Sequence, residues 1–312
     1  MLAQARAFFA ARAVLEVDTP VMLNAAVTDV HIASARVQLE AAAHAPPPRE
    51  RFLHTSPEYA MKRLLAAGSG DIYQICHVVR GFEVSRLHNP EFTLIEWYRV
   101  GFTLDALMSE VEELVRELLR AAGPEAPARL ASERLSYRDA FRETLELDPF
   151  EASLGQLTAA AAPLGYRATG GEGLRDELLE LLMASLVGPR LGRGALTFVY
   201  GYPASQAALA RLDPQDARAA RRFELYCAGV ELANGFHELA DAAEQRRRFE
   251  ADRRERAQSG LPCPAIDERL LGALAAGLPD CAGVALGFDR LVMLATAAPD
   301  IDAVLAFADA RA

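Results

Sequence analysis

The chain has 312 residues, enough to bury a full core as one large domain or two modest ones. A formal net charge of -10 and a pI near 5.2 argue against a general nucleic-acid binder, which normally shows a basic surface. Its four cysteines, Cys76, Cys227, Cys263 and Cys281, are scattered without a CxxC pair, which excludes a zinc ribbon and fits reduced thiols. Arg6 and Arg12 interrupt the apolar start, so no signal peptide is expected there, and no later run offers ~20 uninterrupted apolar residues. The expectation is a soluble cytoplasmic protein with no membrane contact. Lys62 is the only lysine among 33 basic residues. It is either an ordinary helix-surface residue or one with a task arginine cannot perform.

In chain order, Leu2 to Ala13 has helical apolar spacing, and Val14 to Val17 reads as a strand stopped by Pro20. Strand-like alternation follows in VTDVHIASARVQLE, then a proline-rich turn at HAPPPRE. Phe52 to Ser56 is a short strand, and Pro57 with Glu58 opens a helix that runs to about Ala67. Ile72 to Tyr98 is a hairpin around a polar loop, Gly81 to Glu91. Leu104 to Ala121 is the clearest amphipathic helix, with Leu107, Val111, Leu114, Val115 and Leu118 on one stripe. GPEAPARLASER reads as a linker or surface loop. The span 123–194 as a whole reads as a mostly helical insertion, with helices near Tyr137 to Leu145 and Leu174 to Val187. A strand starts at Leu196, and Arg222 to Glu238 is a second hairpin turning near Ala228-Gly229. Ala240 to Gln258 is a charged helix, either a solvated face or a docking surface, and Leu270 to Ala276 a short one. GVALGFDRLVML, from Gly283, reads as strand, glycine turn and helix. Antiparallel strands with helices between them predict an α+β fold, not a doubly wound parallel sheet.

Several constellations could carry chemistry. Alternation puts Phe92, Leu94, Glu96 and Tyr98 on one strand face, with Arg80 at the loop entrance, where a planar charged fork suits a phosphate or carboxylate. A turn at Ala228-Gly229 sets Glu224 and Glu231 roughly opposite each other. Facing carboxylates repel unless a cation such as Mg²⁺ sits between them, or unless both are merely solvated. Asn234, Phe236 and Glu238 share one face, and Glu231 joins them only if the Asn234-Gly235 step bulges. The glycines of GVALGFDR allow close backbone approach to a ligand, and Arg290 opens a helix beside any bound anion. His88 is either a loop hydrogen-bonder or a phosphate contact, and His237 reads as structural.

Taken together, TSPEY, RGFEVSRLHNPEFTLIEWY, ELANGFHELADAAEQ and GVALGFDR resemble the catalytic core of class II aminoacyl-tRNA synthetases, and within them the lysyl branch. The resemblance covers nearly the whole chain, its opening helix and strand ending at Pro20 being similar to the dimer-forming element. It implies one class II catalytic domain over 1–312, an antiparallel sheet flanked by helices, acting as a homodimer with ATP and Mg²⁺. Arg80 and Arg290 take the catalytic role on the phosphates. Gly81, Phe82, Glu83, His88, Asn89, Phe92, Glu231, Leu232 and Gly287 complete the ATP site, with Phe92 under the adenine. Glu224 and Glu231 hold the metal. Glu58, with Ser56, meets an amino group of the amino acid, and Pro57 between them is counted with the substrate-binding residues. Glu96, Tyr98, Asn234, Phe236, Glu238 and Ala285 line the rest of its pocket, whose many acids suit a substrate with two amines. Two departures stand out: Gly81-Phe82 replaces the family's Asn-Glu, and the sequence starts late relative to the family, so a short first helix and a weaker dimer interface are expected. Ala285, where the synthetase pattern has glycine, is expected to shift the position of the substrate's α-carbon region.

No anticodon-binding barrel precedes the core in this sequence, so no tRNA anticodon contact is expected. A stand-alone core of this kind is similar to members of the lysyl branch that attach (R)-β-lysine, or lysine, to a lysine of elongation factor P. A truncated lysyl-tRNA synthetase charging tRNA and a non-catalytic synthetase paralogue are the alternatives.

Overall fold

Successive side chains of a strand point to opposite faces of its sheet. In this chain one face of the large sheet, the dry face, packs into the main core, and the other, the wet face, carries polar side chains under a cleft, so the central strands are covered on both sides. The computed structural model describes residues 1–40, 50–81, 84–123, 126–127, 130–166 and 173–312. The strands are β1 (Leu15–Glu16), β2 (Met22–Leu23), β3 (Arg36–Gln38), β4 (Glu50–Leu53), β5 (Ile72–Val79), β6 (Glu91–Val100), β7 (Ala131–Ser136), β8 (Ala195–Tyr200), β9 (Arg222–Cys227), β10 (Val230–His237) and β11 (Cys281–Gly287). Among the described residues, eight of them form one sheet in the order β1-β5-β6-β11-β10-β9-β8-β7, and β2-β4-β3 form a small second one. The inner pairings are antiparallel, while β1 with β5 and β7 with β8 are parallel. The α+β expectation holds.

The dry face carries Ile95, Trp97, Val284, Leu286, Ala233, Leu225 and Phe198 in the main core. It is covered by α1 (Leu2–Ala10), α3 (Leu104–Ala122) and α9 (Phe288–Ala295), which add Phe8, Phe9 and Leu291. The predicted stripe of α3 is wholly buried, and each leucine there contributes on the order of 1.5–3 kcal/mol by leaving water. Thr103 caps this helix by accepting from the Ala106 amide. Trp97 Nε1 donates to Glu110 at 3.0 Å, so the indole brings no unpaired donor into the core. The wet face is flanked by α2 (Glu58–Ala66), α7 (Ala242–Gln258) and α8 (Glu268–Gly277), joined through Tyr59, Met61, Leu65, Phe249 and Leu270. On its other side, α4 (Tyr137–Leu145), α5 (Leu154–Ala161) and α6 (Leu174–Leu182) form a separate apolar cluster with Val199 of β8.

The structure departs from the expected elements in four places. VTDVHIASARVQLE forms a strand only at Arg36–Gln38. Its earlier half is held by polar ties to α7, Thr28 Oγ1 donating to Asp252 at 2.6 Å and Arg256 donating to the Asp29 carbonyl. Ala131–Ser136, expected within a loop, is the edge strand β7; it is largely exposed, so its sequence lacks apolar alternation. Helix α5 was not foreseen, although Ser153 and Gln156 make a reciprocal capping box that marks its start. Leu2 to Ala13 is helical only to Ala10, because Ala13 takes a left-handed conformation with φ 54°. The proline-rich HAPPPRE lies almost wholly outside the described residues.

The β9–β10 hairpin turns at Ala228-Gly229 as expected, both with positive φ (52° and 77°), the conformation that matches sheet twist in a two-residue turn. A Cβ on Gly229 falls 2.7 Å from the Pro189 carbonyl oxygen. Gly229→Ala is therefore expected to lower stability by about 1–3 kcal/mol. A lower urea midpoint with an unchanged m-value will report it.

Candidate active site

Residues paired across a sheet point to the same side, so the register itself lays out the wet face. One row runs Gln74, Glu96, Ala285, Asn234, Glu224 across β5, β6, β11, β10 and β9. The next runs Ile72, Tyr98, Gly283, Phe236, Arg222. Glu231 pairs with Tyr226, two residues along β9 from Glu224, so it stands on this face too, though not opposite Glu224 as the sequence had suggested. The register shifts between Glu231 and Ala233. This bulge, at Leu232 rather than at Asn234-Gly235, is what rephases β10. Leu232 itself turns its side chain into the core, so it can serve a nucleotide only through its backbone. Above the face lies a cleft of about 860 Å³, lined by Ser56, Glu58, Arg80, His88, Glu96, Tyr98, Glu224, Glu231, Asn234, Phe236, Glu238, Ala285 and Arg290.

Acids crowd one end. Pro57 opens α2 and Glu58 sits in its first turn, with its amide donating to Ser56 Oγ at 3.0 Å. Ser56 Oγ and Tyr98 Oη donate to the two oxygens of Glu96 at 2.7 and 2.8 Å. Glu238 follows β10. Between Glu58 and Glu238 stands Lys62, its Nζ 2.7 Å from Glu58 Oε1 and 2.6 Å from Glu238 Oε2. Lys62 is only 1% exposed, so it is no surface residue. Burial, with Glu58 nearby, pushes the Glu96 carboxyl up to about 7. Burial also lifts Glu238 to about 8, against the pull of Lys62. Burial disfavours the Lys62 charge as well, but Glu238 and Glu58 outweigh it and hold the amine above its ordinary range. The lysine thus stays charged, and the surplus acid takes a proton.

Gly283 is committed to this end. A Cβ there would lie 2.3 Å from the Tyr98 ring and 2.7 Å from Glu238. Its missing side chain makes room for the protein's own phenol, not for a ligand as expected. Gly287 is open, with no atom closer than 3.6 Å to a Cβ built on it. Ala285 stands between Glu96 and Asn234 on the floor.

The arginines lie at the other end. Arg80 donates from Nε to the Thr55 carbonyl at 3.3 Å and sits over the Phe92 ring at 5.2 Å. Arg290 donates from Nη1 to the Glu231 carbonyl at 2.9 Å and contacts His88 Nε2 through Nη2 at 2.6 Å. His88 also meets Ser85 Oγ through Nδ1 at 2.7 Å. Asn89 donates to the Glu91 carbonyl at 2.6 Å and accepts from the Asp309 amide at 2.9 Å, so it braces the loop. The Gly81 amide donates to the Ala33 carbonyl at 2.8 Å. Phe82, the second residue of the Gly81-Phe82 departure from the family pattern, and Glu83 lie outside the described residues. His237 is buried and meets Asp280 at 2.9 Å, the structural role expected of it.

Glu224 is held by Arg222 Nη2, Tyr202 Oη and Tyr226 Oη, each donating at 2.6 Å. Burial and the neighbouring Glu224 raise the pKa of Glu231, whose carboxylate is 3.6 Å from Arg290. Asn234 Oδ1 is buried between them without a hydrogen-bond partner. These are hard oxygen donors, which suit Mg²⁺. Among the described residues no cluster of three or more ligating acids, histidines or cysteines forms a cage. That pattern fits an ion shared between one or two carboxylates and a nucleotide's phosphates.

An antiparallel sheet with arginines at one end of its wet face and acids at the other defines an amino-acid-activating core of the class II type. The sequence matches the family of tRNA synthetases class II (D, K and N) over residues 1–311, and the chain belongs to that family. Among its relatives are the proteins named Elongation factor P--(R)-beta-lysine ligase from Salmonella schwarzengrund and Salmonella choleraesuis. Each is 50% identical over 313 aligned residues, which take in 100% of this chain and 94% of the relative.

Because Glu96 and Glu238 hold protons more tightly folded than unfolded, the stability they contribute is complete below their ordinary pKa of 4.5. It is lost as pH rises through about 7 to 8. Thermal midpoints of the ligand-free protein should therefore fall across that window. The fall should be shallower in Glu96→Gln, and shallower in the wild type when a diamine is added.

Proposed function

We propose that the chain is an ATP-dependent ligase acting as one catalytic unit on (R)-β-lysine or lysine. The carboxylate of the amino acid attacks the α-phosphorus of ATP, forming the aminoacyl adenylate and releasing pyrophosphate. The side-chain amine of a lysine on elongation factor P then attacks the acyl carbon. An amide bond forms, AMP leaves, and the amine gives up a proton. The observation that carries this reading is that Arg80 and Arg290 line one part of the cleft and Glu58, Glu96 and Glu238 another, which suits phosphate groups on the first and ammonium groups on the second.

The physical roles follow from that layout. Arg80 and Arg290 meet the phosphates with planar, permanently charged forks, and stabilise the charge that builds on the phosphoryl oxygens in the transition state. Phe92, whose ring centre lies 5.2 Å from the Arg80 guanidinium, supplies a π-face for the base. His88 and Glu231, which hold Arg290 now, orient it towards the cleft. Glu231, Glu224 and Asn234 would hold Mg²⁺, which when bound neutralises phosphate charge. The acids orient the amino acid so that its carboxylate faces the arginines. A homodimer is part of the proposal, because the opening helix and strand resemble the family's dimer-forming element.

Incubation with ATP, (R)-β-lysine and elongation factor P, followed by intact mass measurement, should add one lysyl residue to the factor. Adenylate formation without any mass gain would rule out the acceptor. Arg290→Ala is expected to slow amino-acid-dependent pyrophosphate exchange by roughly 10²–10³-fold, as for loss of one transition-state donor.

A further inference from the structure

Lys62 is the single lysine against 32 arginines, and it is buried behind the acid-lined end of the cleft, against Glu58 and Glu238. It is on α2, one turn after Glu58, and reaches across to Glu238 beyond β10. An ammonium is a compact point charge with three donors, whereas a guanidinium is a wider planar fork. Two carboxylate contacts at 2.6 and 2.7 Å on one fully buried nitrogen suit the first and not the second.

We propose that Lys62 is a resident ammonium, a positioning residue that cancels one charge of the amine pocket and ties Glu58 to Glu238, so that the remaining acids match a substrate with two ammonium groups. This rests on the reading of the cleft as an amino-acid activation site. The charged and titratable groups around the amine are Glu58 on α2, Glu96 and Tyr98 on β6, Glu238 after β10, and Cys281 at the start of β11. Three ionised carboxylates against one lysine leave two negative charges, and a diamino acid brings two positive ones. An amino acid with one amine leaves a buried carboxylate without a partner, which the site rejects. Without Lys62, three carboxylates would face two ammonium groups, and one acid would have to stay protonated and give up its contact.

A sole lysine makes the test direct. In wild-type protein grown with 15N-lysine, one side-chain ammonium resonance is expected. It should stay protonated past the ordinary lysine range and move when (R)-β-lysine or lysine is added. A signal that titrates like a free lysine, or ignores both diamines, overturns the proposal even if no variant folds. In Lys62→Met, which keeps the length but not the charge, the KM for the diamine in pyrophosphate exchange should rise at least about tenfold, with that for ATP nearly unchanged. Its pH profile should move alkaline by about one unit, since the acids lose their nearest positive charge. Preference for lysine over methionine as substrate should narrow. An unchanged diamine KM and pH profile in Lys62→Met overturns the proposal while leaving the ligase reading intact. Absence of diamine-dependent exchange in the wild type instead removes the ligase reading itself.

Discussion

The bulge between Glu231 and Ala233 is the feature on which the site depends most heavily. A regular β10 would place Glu231 and Asn234 on opposite faces, because three residues separate them. The extra residue lets Glu231, Asn234 and Phe236 all face the cleft, while Ala233 and Leu232 remain in the core. The strained turn at Ala228-Gly229 fixes the pairing of β9 with β10, and hence where the bulge must fall. Its partner strand gains as well: Glu224 and Arg222 reach the same floor from β9. One inserted residue thus brings the oxygens of Glu231 and Asn234 to the same face as Glu96 and Phe236.

Electrostatics makes the second demand. Glu96 and Glu238 sit out of water with the partly exposed Glu58 beside them, and burial of a carboxylate costs several kcal/mol per uncompensated charge. Lys62 offsets one of them, protonation offsets another, and hydrogen bonds from Ser56 and Tyr98 hold the Glu96 carboxyl. The pocket is therefore arranged for cations before any arrive. Gly283 belongs to the same arrangement, since only a missing Cβ lets the Tyr98 ring and Glu238 approach so closely. The arginine end is tied differently. Arg290 is bonded to the Leu87 and Glu231 carbonyls and to His88, so this one side chain ties α9 to the loop and to β10.

Much of this was legible before folding. HNPEFT, NGFHEL and GVALGFDR carry the family, and alternation in the Glu91–Val100 strand put Glu96 and Tyr98 together correctly. The α3 stripe and the hairpin turn were read from spacing alone. Other features were hidden for identifiable reasons. Edge strand β7 is exposed and polar, so periodicity had nothing to show. A bulge leaves no compositional mark, so nothing in the sequence separates Leu232 from the Asn234-Gly235 step as its position. Gly283 looked like ligand space and turned out to hold the protein's own side chain.

What the sequence determined by itself is the set of elements and the chemical inventory: which segments alternate, which residues carry charge, and that a single lysine stands among arginines. What only the tertiary structure decided is who meets whom. Lys62 could have been a surface residue by every local measure, because helix position i+4 from Glu58 fits an exposed pair equally well. Burial against Glu238, 176 residues away in number but 2.6 Å away in space, makes it part of the site. Local patterning has no access to such a contact, since it depends on how the sheet brings β6, β10 and α2 together.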